Sequence, residues 1–168
     1  MVVQVVFEER YWYPDDGGQV WLAGYTPVGE DGAYLGRDAP ELAARGLRVA
    51  SVAGARFQAE ALDGEAAAPG RPLELRRDPG NEHDPNAVMV LAGGEQVGWV
   101  PRELAAELAP ALDRGATWSA VVLREQRASP RDPRHGVTML LAPDREVSFV
   151  TWRPTTSSRP TRPPSGST

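Results

Sequence analysis

The sequence predicts a mainly β domain of α+β type, with one or two helices packed on its sheet and a β-hairpin and short helix ahead of it. Three observations lead there. Short stretches rich in β-branched and aromatic residues recur between clusters of Gly, Pro, Asp and Asn. One long segment, 101–115, carries sustained helical periodicity. The 168 residues, 41% of them hydrophobic, suffice for one core plus an appendage.

Val2 to Tyr13 has strand composition, the DDGG of Asp15 to Gly18 is a turn signal, and Gln19 to Tyr25 resumes the strand pattern, which together predict a hairpin. In DAPELAARG, Asp38 is placed as N-cap, Glu41 as its capping-box partner and Gly46 as the stop of a helix of about two turns. Leu47 to Leu62 is expected to be extended, with a break at Gly54. Arg71–Arg77 and Asn86–Ala92 read as strands on either side of a polar loop, and Gly93 and Gly94 turn the chain into a strand ending at Val100. Pro101 suits a helix start, and Leu104, Leu108 and Leu112 form one apolar stripe up to Gly115. A kink is expected at Pro110, which has no N–H for the Ala106 carbonyl. Thr117–Glu125 and Gly136–Ala142 close the sheet around an Arg/Pro loop. Pro154–Thr168 has no large apolar residue to offset the entropy of ordering, and disorder is expected. The chain thus divides into an extension at 1–48, a main domain at 49–150 and a tail at 151–168. There is no internal repeat.

A net charge of −5 argues against gripping duplex DNA by bulk electrostatics, although a local patch is what matters for a small site. Residues 124–168 are the basic part, with eight arginines against four acids. All 18 cationic side chains are arginine, a compositional habit first and a means of planar phosphate recognition second. With no cysteine there is no disulfide, thiolate zinc site or cysteine nucleophile, and with no lysine there is no phosphate-binding loop of the GxxxxGK type. The N-terminus lacks signal-peptide character and no apolar run approaches ~18 residues, so a cytoplasmic protein without membrane attachment is expected.

The loop in RRDPGNEHDPNAVMV, Arg76 to Val90, holds more polar residues than a reversal needs. Asn81 and Asn86 are read as loop-structuring residues that satisfy backbone amides, while Asp84 is open between that role and ligand contact. A one-metal nuclease built from Asp78, Glu82, His83 and Asp84 is the enzymatic alternative. Neighbouring loop residues do not converge as a helical H-x-x-x-H pair does, and turn chemistry accounts for them more simply. No cofactor or metal is expected.

The ordered set VAGARF, LELRRDP, NEHDPNAV, VGWVP and RELAAELAPALD resembles a HIRAN domain over Val49 to about Glu125, its most specific element being Asn81, Asp84, Asn86 and Ala87 followed by Val97-Gly98. The resemblance implies a small β-barrel of oligonucleotide-binding type and a non-catalytic module of DNA repair or fork processing. Such a module binds single-stranded or frayed DNA at 3′ ends, beside a helicase or nuclease partner. Arg56 and Phe57 stand where the family has a basic and an aromatic residue. His83 and Asp84 stand where it has an aromatic-Asp pair that packs on the terminal nucleotide and accepts a bond from its 3′-hydroxyl; here histidine replaces the aromatic. Arg102 opposes the helix macrodipole, which adds some weight to a ligand contact against the default of a solvated surface arginine. Arg76 and Arg77 point to opposite faces of a strand, so one at most faces a given ligand. Phe57 is open between surface platform and core, and Trp99 is read as core or rim. The alternative class is a protein-interaction module docking on a DNA-processing enzyme through Tyr11, Trp12, Tyr13, Trp21 and Tyr25.

Overall fold

Alternating apolar residues set the pairing of the strands in the computed structural model, which describes residues 2–15, 18–28, 35–36, 38–44, 46–129, 131–143 and 148–151. The strands are β1 Val2–Asp15, β2 Gly18–Val28, β3 Arg48–Ser51, β4 Pro72–Arg77, β5 Val88–Ala92, β6 Glu95–Trp99, β7 Trp118–Arg127, β8 Gly136–Pro143 and β9 Ser148–Thr151. The helices are α1 Pro40–Ala44, α2 Ala59–Leu62 and α3 Arg102–Asp113. The main path is β6-β5-β4-β7-β2-β1-β9, with β8 joining β7 to β3. Among the described strands only β1 and β9 pair in parallel.

The sheet bends at β4. Pro72 and Leu73 pair with β7, whereas Glu74 to Arg77 pair with β5. Past β3, Ala53 and Trp99 exchange two backbone hydrogen bonds of 2.8 Å each. That rung joins the two ends of the curl, so β3, β8, β7, β4, β5 and β6 follow one another round a small barrel. The fold is therefore the expected mainly β, oligonucleotide-binding-like half-barrel, closed at one point. Gly98, at φ +155°, is required there, because a Cβ would overlap the Ala53 carbonyl oxygen.

Val88, Val90, Val97, Val122, Val137 and Met139 are wholly buried inside the curl, and Ala105 and Leu108 of α3 pack with them. Leu104 and Leu112 flank that contact, as the stripe predicts. On the outer face Leu42 and Leu47 cover Leu123, Leu140 and Ala142, so β8 is buried on both sides. Each such leucine contributes about 1.5–3 kcal/mol by leaving water. The β1–β2 hairpin continues the sheet through pairing of Trp21–Gly24 with Arg127–Arg124.

Two local expectations are corrected. The segment after Ala53 is not extended: Ala55–Gln58 is a 3₁₀ turn and α2 follows it. Ala55 and Leu62 are buried seven positions apart, a helical repeat hidden by the strand-like residues before Gly54. Helix α1 begins at Pro40, leaving Ala39 rather than Asp38 at the cap. A residue before proline is disfavoured in helical conformation, so Ala39 cannot readily serve as the first helical residue. Gly93 and Gly94 have φ +59° and +86°, the two positive angles a tight hairpin turn needs. Helix α3 runs on through Pro110 to Asp113. The side chains of Tyr11, Trp12, Tyr13 and Trp21, residues 16–17 of the predicted hairpin turn, and residues 152–168 lie outside what the structure describes.

Candidate nucleic-acid interface

Gly54, at φ +67°, turns the chain out of the closing rung into the 3₁₀ turn. Ala55 enters the core and Leu62 anchors α2, which leaves the intervening Arg56 and Phe57 facing outward. Phe57 is 73% exposed, the only exposed large hydrophobic side chain among the described residues. The Arg56 guanidinium carbon lies 4.9 Å from its ring centroid. Such a cation–π contact contributes about 0.5–1 kcal/mol at an exposed site and holds the two side chains together. Phe57 is thus a surface residue on a turn, and not part of the core.

The loop joining β4 to β5 is braced from within. Asn81 Oδ1 accepts hydrogen bonds from the His83 and Asp84 N–H groups at 2.9 and 3.0 Å, and its Nδ2 donates to Asp78 Oδ2 at 3.2 Å. Asp84 Oδ1 accepts from the Asn86 N–H at 2.9 Å, so Asn86 takes part through its backbone. The second Asp84 oxygen has no hydrogen bond among the described residues. His83 is exposed and Asp84 half-buried. Among the described residues, no three His, Asp or Glu side chains gather where they could hold a metal ion.

Arg77 clamps this loop. Its guanidinium donates to the carbonyls of Ala87 and Pro85 at 2.8 and 3.0 Å and to Asp113 Oδ1 at 2.9 Å. The Arg77 hydrogen bond is the main reason the Asp113 carboxyl sits below its ordinary range. Arg76, on the other face, is exposed and pairs with Glu74 at 3.0 Å. Arg102 is exposed in the first turn of α3. In register, Arg77 pairs with Val88, Met89 with Trp99, and Trp99 with Ala53. The polar loop, the start of α3 and the Arg56–Phe57 turn therefore rise from one end of the barrel. Half-buried Trp99 lies against Gly54 in the same region.

The sequence reading missed a third wall, the loop between β7 and β8. Arg134, 6% exposed, donates to Glu125 Oε2 at 2.8 Å and to the carbonyls of Leu62 and Gly64 at 2.7 and 3.0 Å. Arg127 donates to the other Glu125 oxygen at 3.0 Å. Burial pushes the Glu125 carboxyl up, but the hydrogen bonds and charges of the two arginines outweigh it and hold the group below its ordinary value. The network fixes the loop against α2. Phe57 and the base of this hairpin, at Gln126, His135 and Gly136, flank an open cleft of about 340 Å³. Arg56 and Phe57, singled out in the sequence, line it on one side, whereas Gln126, His135 and Gly136 on the other carried no motif.

A small β-barrel with an exposed aromatic–guanidinium pair and a braced acidic loop at one end defines a class, the barrel-type binding module. The chain belongs to the HIRAN domain family, whose model matches residues 46–138. The crystal structure of the HIRAN domain of human HLTF is similar at a TM-score of 0.43 and 26% identity, covering 58% of this chain and 77% of that one. A Lactobacillus plantarum protein of known structure is similar at 0.41 and 20% identity, covering 56% and 91%. A Fanconi-associated nuclease 1 homolog of Oryza sativa subsp. japonica is 49% identical over 49 residues, which are 27% of this chain and 5% of that protein's length. No helix among the described residues is long and apolar enough to cross a membrane.

Proposed function

We propose that this chain is a non-catalytic module that recognises single-stranded or frayed DNA at its 3′ end and works beside a helicase or nuclease in DNA repair or fork processing. The observation that carries this reading is Phe57, 73% exposed with Arg56 over its ring. An exposed ring stacks on any base, a contact worth about 1–3 kcal/mol, and the adjacent guanidinium suits the following phosphate. Arg102 and Arg76 supply further cations on the same module, and exposed His83 offers a second flat surface. Asp84 retains an oxygen to accept a bond from a terminal hydroxyl, and its charge repels a terminal phosphate. The nuclease relative supports a setting in DNA processing. Fluorescence anisotropy with labelled oligonucleotides carrying free or blocked 3′ ends tests the reading. Saturable binding lost on blocking is the expected result. Equal binding of both would make the protein a general single-strand binder, and no binding would move it to the protein-interaction class.

A further inference from the structure

Strands β1, β3, β7 and β9 all run toward one end of the molecule. β7 pairs antiparallel with β8 and β2, β8 antiparallel with β3, and β2 antiparallel with β1, so β1, β3 and β7 share a direction. β9 joins them through its parallel pairing with β1. At that end the Arg56–Phe57 turn follows β3 and the β7–β8 loop follows β7, and the chain beyond Thr151 leaves β9 toward it. In register, Thr151 lies opposite Val5 and Val5 opposite Pro27, six residues along β2 from Trp21, which faces Arg127. The level of Arg127 is therefore about 20 Å further along the strands, and about 14 Å to the side across β1 and β2. The seventeen residues after Thr151 span about 55 Å when extended, enough to reach that end.

Those residues, 152–168, include Arg153, Arg159 and Arg162 and no acid. The family-matched segment, 46–138, has eleven arginines against thirteen acids. Of its arginines, Arg48, Arg76, Arg77, Arg127 and Arg134 are each tied to a carboxylate. A nucleic-acid strand carries a phosphate at every step, so the phosphates inward of the terminal nucleotides meet a barrel with few cations left for them. Arg131 is one of the few. It is exposed on the β7–β8 loop, and its guanidinium has no hydrogen-bond or ion-pair partner among the described residues. The loop is fixed around it: the Arg127 guanidinium donates to the Asp132 carbonyl at 2.6 Å, and Ser129 Oγ accepts the Arg131 N–H at 3.3 Å. Topology thus brings one exposed arginine and the start of an arginine-bearing, acid-free segment toward the end of the barrel that carries Phe57.

We infer that Arg131 together with Arg153, Arg159 and Arg162 forms a second binding site, a track for the phosphates of the strand several nucleotides inward of the end held at Phe57. The inference rests on the DNA-binding reading above. It is tested on the full chain by anisotropy over a salt series, with 3′-hydroxyl oligothymidylates of four and of sixteen nucleotides. Wild-type protein should bind the longer strand more tightly at low salt. Replacing all four arginines with glutamine should abolish that advantage and lower the slope of log affinity against log salt on the longer strand by about 2–3, at about 0.7 per phosphate contact. Arg131→Gln alone should lower it by about 0.7. Affinity for the short strand and the preference for a free 3′ end should be the same in every variant. An unchanged slope in the fourfold variant overturns the track, and is the outcome if Asp15 and Asp16 of the hairpin hold the tail instead. A fall in slope that does not include Arg131→Gln overturns its seat on the β7–β8 loop, and loss of the end preference in the fourfold variant overturns its separation from the end site. Wild-type protein that prefers a free end without any length dependence sinks the track alone. Length dependence without an end preference sinks only the end-binding reading, and failure to bind either strand defeats both.

Discussion

Phe57 and Asp84 are the two residues on which the functional reading turns, and each separates a ligand role from a structural one. Phe57→Ala should weaken oligonucleotide binding by about 1–3 kcal/mol with little change in melting temperature, since the ring is exposed. A core phenylalanine would instead cost about 3–5 kcal/mol of stability, so a large fall in melting temperature would contradict the surface assignment. Asp84 braces its loop through one oxygen on the Asn86 N–H. Asp84→Asn keeps an acceptor for that bond and should fold normally. It removes the charge that repels a terminal phosphate, so binding of 3′-phosphate relative to 3′-hydroxyl strands should rise; an unaltered ratio in a DNA-binding mutant would leave Asp84 as a turn residue only. At this scale the sequence was partly legible. Asn81 and Asp84 are short polar residues whose turn bonds are local, and local bonds can be read from order along the chain. Which face Phe57 takes was not legible, because it depends on Ala55 and Leu62 reaching a core assembled from distant strands.

Between strands, guanidinium groups act as struts, Arg77 under the β4–β5 loop and Arg134 with Arg127 under the β7–β8 loop. Arg77→Ala leaves the Ala87 and Pro85 carbonyls without their partner and should cost about 1–3 kcal/mol, read by urea unfolding. End discrimination should fall with it, since the clamp positions His83 and Asp84. The Glu125 network makes a prediction in acid. Its folded-state pKa lies below the ordinary 4.5, so its stabilisation is fully present well above that value and is lost as pH falls through the lowered one. Glu125→Gln should be less stable at pH 7 and should lose less on acidification below 4.5; parallel acid profiles would show that the network does not govern acid stability. Elements with a single strong period, such as α3, or with glycine at a tight turn, such as Gly93-Gly94, were legible. The pairing of β1 with β9 was not, because four residues, Ser148–Thr151, carry too little pattern to declare a partner near the other terminus.

For the molecule as a whole, the mainly β class followed from strand density, whereas ring closure did not, since it brings Ala53 to Trp99 through one pair of backbone bonds. The cleft has a similar origin: Gln126 and His135 lie beside Phe57 because β3, which leads into the turn bearing Phe57, pairs with β8, distant along the chain. A ring fastened by one rung has a clasp, and thermal opening begins at a clasp. The amide hydrogens of Ala53 and Trp99 should exchange with deuterium well before those of Val90 or Met139, whose strands are paired on both sides. Both clasp amides lie beside the Arg56–Phe57 turn, so an oligonucleotide seated there should slow their exchange selectively; uniform protection across the barrel, with or without DNA, would show that the ring opens only by global unfolding.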